Sequence, residues 1–321
     1  MVEPKHGSLH VGDAAGVRGV LSVLSAPFDE RGALVLKDVA RQVEAAVAFG
    51  IAGVCLPAYG TEFYKLIDDE KIALVAAAAE ASSGRIPVFG QANHDASLHA
   101  LELAKRLCDA GADHISFALP RRFAIPEADL LTFAAQICNA VDVPILVQDF
   151  NPGGTTVGAG FCRALRDRCS NFRYIKLEEP LLGPKLRAIK QVCHGEVNVF
   201  EGWGGMYLPD LIASGIDGVM PGLGHADAMN ALWQATQAGD LSTSLDIFER
   251  LLPQITFSLQ NLELYLYLEK QLLRSRKIIS SSHVRAVTAT PEDETVTHAK
   301  ILNDRVLELV RDLKLPIHPV S

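Results

Sequence analysis

Short apolar runs alternate along the chain with longer stretches whose apolar positions recur at helical spacing. Val20–Leu24, Gly53–Leu56, Ile86–Gly90, His114–Leu119, Pro144–Gln148, Arg173–Leu177, Val197–Phe200 and Gly218–Met220 read as strands. Between and after them, Lys37–Phe49, Asp68–Ala81, Ser97–Ala110, Glu127–Ala140, Ala159–Cys169, Gly183–Val192, Leu208–Ser214 and Asp227–Ala238 read as helices. Gly50, Gly84, Gly111, Gly195 and Gly215 follow helices, where a left-handed residue closes the last turn. About eight strand–helix units is the number that closes a parallel sheet on itself, so the pattern predicts a (β/α)8 TIM barrel over 17–240. An open doubly wound sheet would carry a Gly-rich turn after its first strand, and Ala26-Pro27-Phe28-Asp29 is not such a turn. From Leu241 the strands stop. Ser242–Leu252, Ile255–Arg274 and Glu294–Leu313 read as helices, giving an N-terminal tail over 1–16, the barrel, and a C-terminal helical extension over 241–321.

Composition narrows the class. The 321 residues are 49% hydrophobic and 21% charged with a net charge of −8, which describes a folded, mildly acidic chain. It has no Lys/Arg block, hence no electrostatic footprint for nucleic acid. No stretch approaches the roughly 20 apolar residues that span a bilayer. Val20–Leu24 is too short for a signal peptide. The expectation is a cytoplasmic metabolic enzyme without nucleic-acid or membrane partners. Six cysteines lack any CxxC spacing, so reduced thiols are expected in place of a disulfide framework or a zinc site.

In such barrels the chemistry sits at the C-terminal ends of the strands. In Arg173-Tyr174-Ile175-Lys176-Leu177-Glu178, alternation puts Tyr174, Lys176 and Glu178 on one face, and the apolar pair Ile175 and Leu177 on the other. Lys176 then points into the barrel mouth. A desolvated lysine loses its proton more readily, and its neutral amine attacks a ketone to form a Schiff base. A rim ion pair between Lys176 and Glu178 fits the same pattern, which leaves both readings open. Gly202 and Trp203, within Gly202-Trp203-Gly204-Gly205, allow close backbone approach to a substrate or serve a turn. His94 and His225 fall after strands and are expected as polar lining. Two isolated histidines do not make a metal site.

Taken together, Tyr59-Gly60-Thr61-Glu62, Lys176 ending its strand, Gly215-Ile216-Asp217-Gly218-Val219-Met220-Pro221-Gly222 and the later Gly239-Asp240, Leu251-Leu252-Pro253, Gln260 and Lys270 resemble the dihydrodipicolinate synthase / N-acetylneuraminate lyase family over Val17 to Leu313. The resemblance implies a (β/α)8 barrel, Schiff-base chemistry on small 2-oxo acids with no metal or other cofactor, and a homotetramer. Lys176 matches the Schiff-base lysine. The turn at Gly60 and Thr61 matches the one whose amides hold the substrate carboxylate, and Gly202, Trp203 and Gly222 are expected to meet the substrate. Glu62 is expected as a turn or cap residue. The departures are informative. Gln148 stands where the family has its catalytic tyrosine, the arginine of the synthases has no counterpart in 151–155, and Arg122 falls near the tyrosine that the family donates across a subunit contact. A lysine-biosynthetic synthase and a neuraminate lyase are therefore disfavoured. Val147-Gln148-Asp149 with Lys176-Leu177-Glu178 resembles the branch of 2-keto-3-deoxy-L-arabonate dehydratase-like proteins. The expected activity is that of a lyase dehydrating a 2-keto-3-deoxy sugar acid, with a pyruvate-releasing aldolase or a non-catalytic ketoacid-binding barrel as alternatives. Glu178 is the first candidate for the acid–base group and Tyr59 the second. Gln148 cannot titrate, so it orients water or bonds the substrate. Arg121 and Arg122 would hold a distal carboxylate or hydroxyl, or else lie at a solvated loop or subunit contact.

Overall fold

The computed structural model describes residues 16–152 and 154–320, so all but Gly16 of the 1–16 tail lies outside the described residues. Eight strands pair in parallel and close into a barrel in sequence order, with β8 returning to β1. They are β1 (Gly19–Val23), β2 (Gly53–Leu56), β3 (Val88–Gln91), β4 (His114–Ala118), β5 (Ile145–Asp149), β6 (Phe172–Leu177), β7 (Asn198–Glu201) and β8 (Gly218–Val219). Helices α1 (Leu36–Ala48), α2 (Asp68–Ser82), α3 (Ser97–Asp109), α4 (Glu127–Cys138), α5 (Ala159–Arg168), α6 (Gly183–Val192), α7 (Leu208–Ile212) and α8 (Ala226–Gln237) follow the strands in turn. Among the described residues no helix is long and apolar enough to cross a membrane.

Period-2 alternation sorts the strand residues into two cores. Val20, Val54, Ile115, Val147, Ile175, Leu177 and Val199 point outward and pack against the helices. Leu21, Val23, Cys55, Phe89, Leu146, Tyr174, Phe200 and Met220 fill the barrel. Toward the N-terminal end of the strands an aromatic layer seals the interior. His114 stacks on Phe89 with centroids 4.2 Å apart, and Tyr174 meets Phe89 and Phe200 edge-on at 5.7 and 6.1 Å. The Tyr174 hydroxyl accepts from the Val17 amide at 3.1 Å, tying the entering chain across this floor. One layer above, Gln148, Lys176 and Phe200 are register partners on β5, β6 and β7.

The extension departs from its expected break. Pro253 was expected to separate two helices, yet α9 (Leu241–Ser258) runs through it. A proline in a helix interior removes a hydrogen bond and costs about 3 kcal/mol. Here the buried stripe of Ile247, Leu251 and Ile255 holds the helix together across it. The chain breaks instead before α10 (Leu262–Ser275), where the Asn261 side chain accepts from the amides of Glu263 and Leu264 at 2.8 and 3.3 Å. The long helix α11 (Asp293–Asp312) then packs on α9.

Ionic contacts pin α10 along the barrel mouth. Glu263 accepts from the Tyr64 hydroxyl and from Lys65 at 2.6 Å. Glu269 accepts from the Gly224 amide at 2.7 Å. Lys270 pairs with Glu62, both side chains fully buried, and lies 4.5 Å from the centre of the Phe28 ring. Glu62, expected as a turn residue, does sit in a left-handed turn at φ 61°, between the short 3-10 turns Tyr59–Thr61 and Phe63–Lys65, and it is also the anchor for α10. Just past α10, Arg276 forms a bidentate pair with Asp227 at 2.8 and 2.6 Å and donates to the carbonyls of Gly224, Pro316 and Ile317.

Removing one member of a buried pair strands the other charge, at a cost of roughly 3–5 kcal/mol. Glu62→Gln should therefore lower stability by about that amount in chemical denaturation, and the double change with Lys270→Met should recover much of it. Glu269 gives a pH-dependent test. Burial pushes its carboxyl up from 4.5 to about 7, against the lowering pull of the Gly224 amide and Arg276. The folded chain thus keeps a proton that the unfolded chain has released, and stability falls as pH rises from 4.5 to 7. Across that window wild type should lose about 3 kcal/mol relative to Glu269→Gln, measured by denaturation at several pH values.

Candidate active site

A cavity of about 250 Å³ opens at the C-terminal ends of the strands. Lys176, Glu178, Gln148, Tyr59, Gly60, Gly202, Trp203 and Gly222 line it, and so do Leu259 to Leu262 and Tyr265 from the extension. Lys176 and Glu178 are 6% and 7% exposed, so the pair lies within the mouth and not on a solvated rim. The Lys176 Nζ stands 3.0 Å from Glu178 Oε1. That oxygen also accepts from Gln148 Nε2 at 2.9 Å, and Gln148 Oε1 accepts from Gln91 Nε2 at 2.6 Å. The amide of Gln148 is therefore oriented from behind by Gln91, and it holds the Glu178 carboxylate against the lysine. Glu178 fits only because residue 202 is glycine: a Cβ there would overlap the Glu178 carboxyl group.

Tyr59 lies edge-on to Phe63 at 5.0 Å and tilted on Phe150 at 5.1 Å. Burial pushes its phenol up to about 12, with the charges of Glu178 and Asp95 adding to the effect, so it is a proton-bearing donor near neutral pH. Glu201, one position beyond the expected end of strand 7, lies close to the site without lining the Lys176 cavity. It is the last residue of β7, where it partners Leu177. It is fully buried, accepts from the Gly205 amide at 2.7 Å through Oε2, and leaves Oε1 without a partner among the described residues. Burial pushes its carboxyl up to about 7, and the Glu178 charge pushes the same way. An acidic residue directly before the Gly202 loop was the available signal. Tyr265 and 259–262 were missed because the helix break had been placed at Pro253.

Several expected site residues lie elsewhere. Thr61 does not reach the cavity. Its hydroxyl donates to the Leu24 carbonyl at 2.6 Å and accepts from the Ala58 amide at 2.9 Å, while its own amide donates to the Ala58 carbonyl at 2.9 Å. The tight turn closes on itself and leaves Tyr59 and Gly60 at the surface of the cavity. Arg122 is also displaced. It pairs with Asp95 at 2.8 Å, its side chain is 73% exposed, and it lines a neighbouring cavity behind Tyr59 and Phe150. Arg121 is engaged with Asp149 at 2.7 and 2.6 Å. His94 lines that neighbouring cavity as well, with Nδ1 accepting from Ala96 at 2.9 Å and its ring stacked on His99. His225 does not line the Lys176 cavity. It is buried after β8 with both ring nitrogens unpartnered among the described residues, and burial lowers it to about 4, so it is neutral.

The cavity thus offers a buried amine, a carboxylate in contact with it and a fixed amide donor, the parts needed for imine formation with proton transfer. Residues 16–304 match the Dihydrodipicolinate synthetase family. The L-2-keto-3-deoxyarabonate dehydratase of Azospirillum brasilense is 27% identical over 292 residues, which cover 89% of this chain and 92% of the relative. The 4-hydroxy-tetrahydrodipicolinate synthase of Brucella abortus is 25% identical over 301 residues, covering 89% of this chain and 100% of the relative. The crystal structure of dihydrodipicolinate synthase from Rhodopseudomonas palustris shares the fold with a TM-score of 0.84 at 21% identity, covering 91% of this chain and 98% of that one. With the match spanning the whole barrel and most of the extension, the chain belongs to the dihydrodipicolinate synthetase family and is a lyase of the kind that works through a lysine Schiff base.

Proposed function

We propose that this lyase dehydrates 2-keto-3-deoxy sugar acids, with Lys176 as the imine-forming lysine and Glu178 as its acid–base partner. The observation that carries the reading is Gln148. It occupies the strand-5 position of the family's catalytic tyrosine and, being unable to titrate, donates to Glu178 at 2.9 Å and so holds it against Lys176, 3.0 Å away. The likeness to the arabonate-derived dehydratase of Azospirillum brasilense points the same way. A cavity of about 250 Å³ falls just below the roughly 300 to 1,000 Å³ of drug-sized ligand pockets and suits a short substrate.

In this mechanism the Lys176 ammonium gives a proton to Glu178, and the free amine attacks C2 of the keto acid. Glu178 returns that proton to the carbinolamine hydroxyl, which leaves as water and yields the protonated imine. The imine draws electrons from C3, so Glu178 takes a C3 proton and an enamine forms. The enamine pair then expels the C4 hydroxyl, which departs as water with the proton that Glu178 carries. The conjugated imine rearranges and hydrolyses, releasing a product one water poorer than the substrate and returning Lys176. Tyr59 keeps its proton throughout and serves as a hydrogen-bond donor.

Incubation with pyruvate and borohydride should add a reduced adduct to the peptide containing Lys176, and Lys176→Ala should take none. An unmodified wild-type chain at saturating pyruvate would overturn the assignment. Glu178→Gln should lower kcat by roughly 10²–10⁴. Product analysis on 2-keto-3-deoxy-L-arabonate should find the 2,5-dioxo acid; pyruvate with an aldehyde in its place would mean carbon–carbon cleavage.

A further inference from the structure

We propose that Tyr265, contributed by the helical extension and not by the barrel, donates its hydroxyl hydrogen bond to the carboxylate of the bound 2-oxo acid. This rests on the imine reading above and assigns the other end of the same substrate.

Tyr265 lines the cavity that holds Lys176. Its position follows from two bare glycines. A Cβ built on Gly222, just after β8, would stand 2.6 Å from the Tyr265 phenol oxygen. A Cβ built on Gly60, in the turn after β2, would stand 3.1 Å from Tyr265 Cε1 and 3.3 Å from its oxygen. The phenol therefore lies between these two turns, in room that either side chain would fill. Its hydroxyl, on a half-buried side chain in the cavity wall, makes no hydrogen bond among the described residues and is open to a ligand.

Elimination strengthens the assignment. An anion taken out of water needs donors. The Thr61 amide and hydroxyl are engaged within their own turn, and Arg121 and Arg122 are engaged with Asp149 and Asp95. What remains are the Tyr59 and Gly60 amides, which donate to no acceptor among the described residues, and beside them the Tyr265 phenol, a side-chain donor to the same anion. Burial, aided by the Glu269 charge, holds the phenol well above the ordinary range, so it keeps the proton it would donate. The contacts of Glu263, Glu269 and Lys270 fix α10 on both sides of Tyr265, and so fix the donor before substrate arrives.

The test compares two ketones that reach Lys176 alike and differ in charge: pyruvate and pyruvamide. Trapping with borohydride is followed as a function of ketone concentration in wild type and Tyr265→Phe. A hydrogen bond to a charged group is worth roughly tenfold or more in affinity. Tyr265→Phe should therefore raise half-saturation for pyruvate by about that factor and for pyruvamide, whose neutral carbonyl is a weaker acceptor, by less, with an unaltered melting temperature. Equal losses for both ketones, or no change for either, would overturn the role of Tyr265 while leaving the imine intact. Absence of trapping in wild type would bring down the imine reading itself, and this inference with it.

Discussion

An ammonium and a carboxylate 3.0 Å apart, each less than a tenth exposed, set the terms for the rest of this molecule. Neither charge is tolerable alone in so dry a place, since an unpaired buried ion costs several kcal/mol. Lys176 and Glu178 can meet because alternation along β6 puts them on one face. They stay together because Gln148 on the neighbouring strand holds the carboxylate and is itself held by Gln91 on β3. Gly202 is bare so that Glu178 has room, and the aromatic layer of Phe89, His114 and Tyr174 closes the space beneath. Residues from five strands or strand ends converge on two charges, which is the precision a closed sheet supplies.

The barrel was legible because its signals are local. Alternation within a strand and spacing within a helix need only neighbouring residues, so strand and helix ends fell within two positions of those expected. Lys176, Glu178 and Gln148 shared this advantage, since each sits at a strand end whose inward face the pattern discloses. Thr61, Arg122 and His225 did not. Where a loop side chain points is decided by partners far away in sequence: Leu24 for Thr61, Asp95 for Arg122, and for His225 the core that encloses it.

Tyr265 shows the same limit more sharply. Local propensity favours a break at Pro253, but tertiary packing carried α9 across it and moved the turn to Asn261. That shift brings the 259–262 connection over the mouth. A wall of the cavity thus comes from a segment that reads, residue by residue, as an ordinary amphipathic appendage. Glu62 on the barrel and Lys270 on α10 join the two parts across 208 positions of sequence, a pairing that no window of neighbouring residues discloses.

Arg276 extends this linkage to the end of the chain. Its guanidinium grips Asp227 and Gly224 on one side and the carbonyls of Pro316 and Ile317 on the other. Pro316 and Ile317 are therefore tied to the far end of the same helix that brings Tyr265 to the cavity. Cutting the chain before Pro316 would remove two of the acceptors of this guanidinium and leave it to Asp227 and Gly224 alone.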